Sequence, residues 1–310
     1  MVQAIILFII GLILMCVAGD KFVDAAVGIS KKLGIPQIII GATIVSVGTT
    51  LPEVLVSTTA ALSGSSAIAA GNAFGSIICN TALIAAFTQL CRPSKDVDTS
   101  SFGWAMAMFL AIAAALTVIG AVFGSYNRIT GVCLLLCAVA YAVLNIHFAG
   151  KNTETSEETN VEDQPVSKNI VILVICAALL FIGARLLVNN GMFIAEAIGV
   201  PERVIAVTFI ALGTSLPELV TAISSLLKGF SDVSLGNIIG ANLLNLVLVI
   251  GIPSTIAGMT LDTQVARVDA PLGILVMLIL LMPFFVKKRG YRLQGAVLLA
   301  IYAVYCISQF

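Results

Sequence analysis

The sequence is poor in charged residues and in the residue types that build metal clusters or nucleophilic sites. Only 10% of its 310 residues are charged, whereas soluble domains carry about 25%. It has a single histidine, His147, so no H-E-x-x-H zinc motif can form, and its seven cysteines include no C-x-x-C pair. The formal net charge is zero, which gives no sign of a nucleic-acid partner. We therefore expect neither catalytic activity nor a cofactor.

Long hydrophobic runs are abundant instead, with 59% hydrophobic residues and a mean hydropathy of +1.10. Crossing a bilayer takes about 20 apolar residues in a helix, because the hydrocarbon core is ~30 Å thick. Runs near this length lie at 3–28, 36–62, 66–90, 101–122, 127–149, 169–198, 202–227, 233–258, 270–286 and 291–309. The sequence predicts an all-α, polytopic membrane protein of ten transmembrane helices in the lipid bilayer, and it suggests no obligatory protein partner.

One polar stretch, "KNTETSEETNVEDQPVSKN", interrupts the apolar runs and is too rich in acidic residues to bury a core. It predicts an acidic linker at 151–168 between a five-helix unit at 1–150 and a second at 169–310. Eleven Lys and Arg residues fall on the side of the linker and three on the opposite side, which predicts a cytoplasmic linker. We expect a multi-pass protein of the cell membrane with both termini outside.

The two halves repeat each other at an offset of 165 residues. "GTTLPE" at 48–53 returns as "GTSLPE" at 213–218, and "GNAFGSIICN" at 71–80 returns as "GNIIGANLLN" at 236–245. Five spans is an odd number, so the second copy must enter the membrane from the opposite side. We expect inverted repeats, with helices broken at Pro52 and Pro217 and a substrate site near the membrane midplane.

The repeated motifs place oxygen-bearing side chains at mid-membrane depth. These are Thr49, Thr50, Glu53, Ser76 and Asn80 in the first half, and Thr214, Ser215, Glu218 and Asn245 in the second. No Lys or Arg lies at that depth in these spans, and an unpaired intramembrane carboxylate is a candidate functional group. Hard cations such as Ca²⁺ and Na⁺ prefer oxygen ligands. Two carboxylates suit one Ca²⁺ or more than one Na⁺, which indicates an exchanger.

These motifs resemble the paired alpha-repeats of the calcium/cation antiporter superfamily, in particular its prokaryotic sodium/calcium exchanger branch. The resemblance implies electrogenic Na⁺/Ca²⁺ exchange by alternating access, with the first and sixth spans, as short helices, sliding against the other eight. By position, it implies Ca²⁺ ligands at Glu53, Glu218, Thr49 and Thr214. It implies Na⁺ ligands at Ser46, Thr50, Ser76, Ser215 and the carbonyl of Ala211, with Asn80 and Asn245 completing the cluster.

The sequence departs from this family at a few positions. Ala241 stands where the first repeat has Ser76, which removes one hydroxyl. Asn245 stands where potassium-dependent relatives carry Asp, which argues against K⁺ co-transport. The alternative function is a Ca²⁺/H⁺ or other divalent cation/H⁺ antiporter, in which Glu53 or Glu218 would carry protons. A passive channel and an intramembrane enzyme fit the broken, inverted repeats and the single histidine less well.

We expect structural roles, and no ion binding, for several further polar residues. Asn72 and Asn237 lie beside the repeated glycines and are expected to be packing or helix-end groups. Anchoring or local pairing is expected for Asp20, Lys21, Asp24 and Arg185.

Overall fold

The computed structural model describes residues 1–95, 97, 99, 102–149, 164–199 and 213–308. Ten helices follow one another in these residues: α1 (Val2–Leu33), α2 (Gln37–Leu62), α3 (Ser66–Cys91), α4 (Gly103–Phe123), α5 (Arg128–Ala149), α6 (Val166–Ala197), α7 (Leu216–Lys228), α8 (Ser231–Ala257), α9 (Val265–Lys287) and α10 (Arg292–Ser308). Eight of these ten are long and apolar enough to cross a membrane, whereas α7 and α10 have 13 and 17 residues. The all-α membrane fold is thus confirmed. Residues 202–212 of the seventh predicted span lie outside the described residues.

Hydrogen bonds between loops distinguish the two ends of the molecule. At one end, β1 (Ser125–Tyr126) pairs antiparallel with β2 (Met259–Thr260), and the Ser66 side chain at the start of α3 bonds to β2. At the other end, Arg92, just after α3, donates a hydrogen bond to the carbonyl of Leu226 in α7. The α2–α3 turn and its counterpart, the α7–α8 turn, therefore lie at opposite ends of α3. Inverted repeats require this arrangement.

Helices α1 and α6 form a pair and supply most of a second hydrophobic cluster. This cluster surrounds Phe22 and Leu180 and also takes in Ile40, Val45 and Val233 from α2 and α8, while the larger cluster is built from the other eight helices. The pair packs closely because a Cβ atom at Gly11 would lie 2.9 Å from the carbonyl oxygen of Gly183. The expectation that these two helices are short was wrong, since each has 32 residues. No proline interrupts the chain before Pro36, so α1 continues past its apolar run.

Helix α8 lies at the centre of the larger cluster. In its most apolar 18-residue window 89% of the residues are buried, against 28% in α1. The repeated glycines allow this central position, because a side chain at Gly236 or Gly240 would collide with the backbone of α2 at Ile38 or Ala42. The glycine motif thus permits close helix packing at α8.

Three described spans that carry predicted site residues contain π-helical segments. Gly41–Val45 interrupts α2, Cys79–Ala85 interrupts α3, and Asn245–Ile250 interrupts α8. The last two lie at matching positions of the two halves. Such segments concentrate at functional sites, because they rotate a side chain out of the regular helical pattern.

The two repeated prolines differ in their structural effect. Pro217 follows a turn at Thr214 and Ser215 and occupies the first turn of α7, where the missing N–H is no loss. Pro52 lies inside α2, which continues through it to Leu62. The predicted helix break is thus present before Pro217, but it was wrong for Pro52. An internal proline frees one carbonyl, and a helix surrounded by protein can continue if neighbouring groups accommodate that carbonyl.

Candidate ion-binding site

Two carboxylates from different halves of the chain meet inside the larger helical cluster. Glu53 in α2 and Glu218 in the first turn of α7 are both fully buried, and they lie close enough to interact electrostatically. None of their four carboxylate oxygens has a hydrogen-bond partner. Burying a charge without a partner costs several kcal/mol or more, and two adjacent like charges raise that cost. The pair therefore calls for a positive ligand.

Each of these carboxylates lies beside threonines of the other half of the chain. Thr214 of the second half lies beside Glu53, whereas Thr49 and Thr50 of the first half lie beside Glu218. Each carboxylate thus faces hydroxyl groups contributed by the other repeat. The two copies of the motif therefore lie together, although only the copy at Pro217 contains a helix break.

Two asparagines hold these threonines across the same boundary. The hydroxyl of Thr49 donates a hydrogen bond to Oδ1 of Asn237 at 3.2 Å, and Thr214 donates to Oδ1 of Asn72 at 3.2 Å. Asn72 also donates to the Ser57 hydroxyl at 2.9 Å. Asn72 and Asn237 therefore connect the two halves at the site, which goes beyond the packing or helix-end role expected for them.

Several other predicted ligands carry buried polar atoms without partners. These are Thr50, Ser76 and Ser215 through their hydroxyls, Asn80 through Oδ1, and Asn245 through both atoms of its amide. All are at most 2% exposed. Buried polar atoms are nearly always satisfied in folded proteins, so unsatisfied oxygens on these residues and on the two carboxylates are typical of a site for an oxygen-loving cation.

The remaining predicted residues differ in what the structure shows of them. Ser46 is fully buried, but its hydroxyl donates to the carbonyl of Thr43 at 3.0 Å in its own helix. Ala241, which replaces a serine of the first repeat, is fully buried in α8. Ala211 lies outside the described residues.

The sequence reasoning missed one side chain of this region. Asn242 accepts a hydrogen bond from Nδ2 of Asn80 at 3.2 Å and is fully buried. Repetition could not find Asn242, because its counterpart in the first half is Ile77. A third asparagine in an apolar span was the available signal.

A known protein family matches each half of the chain separately. The model of the family described as "Sodium/calcium exchanger protein" matches residues 3–147 and again residues 168–310. The chain belongs to the sodium/calcium exchanger family. This membership confirms the resemblance inferred from the repeated motifs.

Relatives of this sodium/calcium exchanger family protein cover nearly its whole length. Inner membrane protein YrbG of Escherichia coli (strain K12) is 35% identical over 289 residues, which are 90% of this chain and 88% of YrbG. Sodium/calcium exchanger MaX1 of Methanosarcina acetivorans is 28% identical over 349 residues, with 98% of each chain covered. A solved structure of the sodium-calcium exchanger NCX_Mj, soaked with Na⁺ and Sr²⁺, is similar with a TM-score of 0.86 and 28% identity over 99% of each chain.

Proposed function

We propose that this protein exchanges Na⁺ for Ca²⁺ across the cell membrane by electrogenic, alternating-access antiport. The observation that carries the proposal is the buried pair of Glu53 and Glu218, whose four carboxylate oxygens have no partner. One Ca²⁺ between these carboxylates would neutralise both charges, and Na⁺ ions would compete for the same oxygens. Competition for one site couples the two fluxes, since the site cannot carry both loads at once.

The hydroxyl groups around the pair are oriented to serve a cation. Thr214 gives its proton to Asn72, and Thr49 gives its proton to Asn237 at 3.2 Å or to the Ser46 carbonyl at 3.4 Å, so the lone pairs of both oxygens are free to face a positive ion. We assign Ca²⁺ to these two threonines and the two glutamates. We assign Na⁺ to Thr50, Ser46, Ser76, Ser215 and the carbonyl of Ala211, with Asn80 and Asn245 between the two groups.

The movement that exposes the site to either side is assigned to the α1–α6 pair. Support for this assignment comes from the second hydrophobic cluster, which α1 and α6 mainly form, whereas the larger cluster contains none of their residues. We further propose that the linker at 151–168 faces the cytoplasm and separates five-helix units at 1–150 and 169–310. The hydrogen-bonded loop groups at the two ends support this topology, because they match the two sides predicted from the distribution of Lys and Arg.

The test is transport by the purified protein in proteoliposomes. Vesicles loaded with Na⁺ are diluted into Na⁺-free buffer with labelled Ca²⁺, and uptake is measured with a voltage-sensitive dye present. A second set receives only a pH gradient. We expect Ca²⁺ uptake that depends on the Na⁺ gradient and shifts the membrane potential.

Matched variants connect this transport to the site. Glu53→Gln and Glu218→Gln should abolish uptake, whereas Glu196→Gln, an exposed carboxylate at the end of α6, should transport like the wild type. Uptake driven by the pH gradient alone would refute sodium as the counter-ion. Normal uptake by either site variant would remove that carboxylate from the site.

A further inference from the structure

A chain of hydrogen bonds leads away from the candidate site through Asn242 in α8. Oδ1 of Asn242 accepts a hydrogen bond from Nδ2 of Asn80 at 3.2 Å. Nδ2 of Asn242 lies 2.7 Å from the hydroxyl oxygen of Thr81 and 3.3 Å from the sulfur of Met277. Asn80, Thr81, Asn242 and Met277 are all fully buried, so bulk water cannot replace any of these contacts.

The sulfur of Met277 decides which way the Asn242 amide points. A thioether has no hydrogen to donate and can only accept, so it favours the amino group of Asn242 over the carbonyl oxygen. The Thr81 hydroxyl also directs its own proton to this sulfur, at 3.6 Å, which leaves its oxygen free to accept. Asn242 must then turn its carbonyl oxygen toward Asn80.

The orientation of Asn80 follows from that of Asn242. Because Asn242 offers an acceptor, Asn80 presents its amino group to it, and Oδ1 of Asn80 is left without a partner. A reversed Asn80 amide would point the positive end of its dipole at a cation. We propose that Asn242 is a positioning residue that fixes the Asn80 carbonyl toward the transported cation. This inference rests on the proposed function.

The second half of the site lacks this support. The residue that matches Asn242 at an offset of 165 is Ile77, which cannot hydrogen-bond, and both atoms of the Asn245 amide are unpartnered. The two central asparagines are therefore unequal: Asn80 is held in one orientation, and no described hydrogen bond fixes Asn245. The hydrogen bond from Asn80 to Asn242 therefore orients one of the two central asparagines only.

A double-mutant cycle tests whether Asn242 acts through Asn80. The variants are Asn242→Leu, Asn80→Ala and their combination, and the measurement is the half-saturating Ca²⁺ concentration in Na⁺-driven uptake. Asn242→Leu should raise that concentration about tenfold alone and less than about twofold in the Asn80→Ala background, because coupled residues are non-additive. Additive effects in a protein that exchanges ions would overturn the role of Asn242.

Milder variants keep the test informative if Asn242→Leu does not fold. Thr81→Val and Met277→Leu each remove one acceptor of the Asn242 amino group and keep a similar volume. Thr81→Val keeps the sulfur and should change the half-saturating Ca²⁺ concentration by less than about twofold. Met277→Leu removes the group that decides the orientation, because the Thr81 hydroxyl can then donate its proton to a reversed amide, and it should raise that concentration about fivefold. A Met277→Leu protein no weaker than Thr81→Val would also overturn the inference.

A binding readout separates the inference from the proposed function. The Ca²⁺-dependent rise in unfolding temperature of the detergent-purified protein is measured for the same variants. If the wild type is stabilised by Ca²⁺ but does not exchange it for Na⁺, the proposed exchange fails, and a non-additive cycle in the binding data still supports Asn242. If Ca²⁺ stabilises no form of the protein, both the proposed function and the role of Asn242 are overturned.

Discussion

The hydroxyl of Thr49 donates a hydrogen bond to Oδ1 of Asn237, 188 residues further along the chain. The second half returns the contact, since Thr214 donates to Asn72. The two repeats are thus joined at the site by exchanged, equivalent bonds. Each bond removes a hydroxyl proton from the side that a cation would occupy, so the assembly of the halves and the preparation of the ligands depend on the same contacts.

Replacing Asn237 by leucine removes the acceptor and leaves the volume nearly unchanged. The Thr49 proton then has only the longer contact to the Ser46 carbonyl, at 3.4 Å, and turns more readily toward the cation. A neutral hydrogen bond contributes about 1 kcal/mol. We expect Asn237→Leu to raise the half-saturating Ca²⁺ concentration about fivefold in Na⁺-driven uptake. Thr221→Val, which removes the other partner of Asn237 but keeps its acceptor, is the control and should change it less. An Asn237→Leu protein with wild-type affinity would show that Thr49 needs no fixed orientation.

The buried carboxylates should make the stability difference between the wild type and Glu218→Gln change sign when Ca²⁺ is added. Without Ca²⁺, Glu218→Gln removes an unpartnered buried charge, so we expect it to stabilise the protein by at least about 1 kcal/mol. With saturating Ca²⁺, the wild type should become the more stable form, because only it holds both charges. The unfolding temperatures of both proteins in detergent, measured with a chelator and with Ca²⁺, test this change of order.

Glu196→Gln, at an exposed position, is the control and should have the unfolding temperature of the wild type under both conditions. A Glu218→Gln protein that is less stable than the wild type in the chelator would mean that the wild-type carboxylate has a structural partner.

Hydropathy and repetition were sufficient to predict the helices and the carboxylate pair. The apolar runs predict ten helices, because each one must satisfy its backbone within the membrane. The two copies of G-T-x-L-P-E identify Glu53 and Glu218 without any structure. The shortness expected for α1 and α6 came from the family resemblance, whereas the apolar runs at 3–28 and 169–198 already indicated long helices. Helix α1 ends where Gly34, with φ 64°, turns the chain.

The contacts between the halves could not be predicted from the sequence. Asn72 and Asn237 bond to threonines of the opposite repeat, and that depends on how α3 and α8 interleave with α2 and α7. The counterpart of Asn242 in the first half is the apolar Ile77, so the argument from repetition passed over Asn242. Pro52 and Pro217 carry the same local signal, but one lies within a helix and the other in a first turn, which the motif itself does not encode.

A charge added at Asn245 should tighten cation binding and slow release. Two unit charges 4 Å apart interact by about 4 kcal/mol at an effective dielectric constant of 20, part of which desolvation offsets. We expect Asn245→Asp to lower the half-saturating Ca²⁺ and Na⁺ concentrations at least about tenfold and to reduce the maximal exchange rate. The exposed Asn127→Asp is the matched control. Unchanged dependence on Na⁺, K⁺ and Ca²⁺ would place Asn245 away from the ions.

An ion-pair cluster connects α1 to α7. Nζ of Lys228 lies 2.7 Å from Asp20 and 2.6 Å from Asp24, and the Ser224 hydroxyl donates to Asp20 at 3.2 Å. The pairing expected for Asp20 and Asp24 is therefore made with the other half of the chain. If α1 moves against α7 during transport, this cluster must break, so it stabilises the conformation seen here.

Breaking the cluster should shift the balance between the two facing states. The three side chains are partly exposed, and such pairs contribute at most about 1 kcal/mol. We expect Lys228→Met to change the ratio of the half-saturating Ca²⁺ concentrations measured from the two sides of the membrane by up to about fivefold. The reason is that one facing state gains population at the expense of the other. Right-side-out and inside-out vesicles give the two values, and Lys31→Met, which removes an exposed charge from the end of α1, is the control. The same ratio in Lys228→Met and the wild type would mean that α1 keeps its position against α7 throughout the cycle.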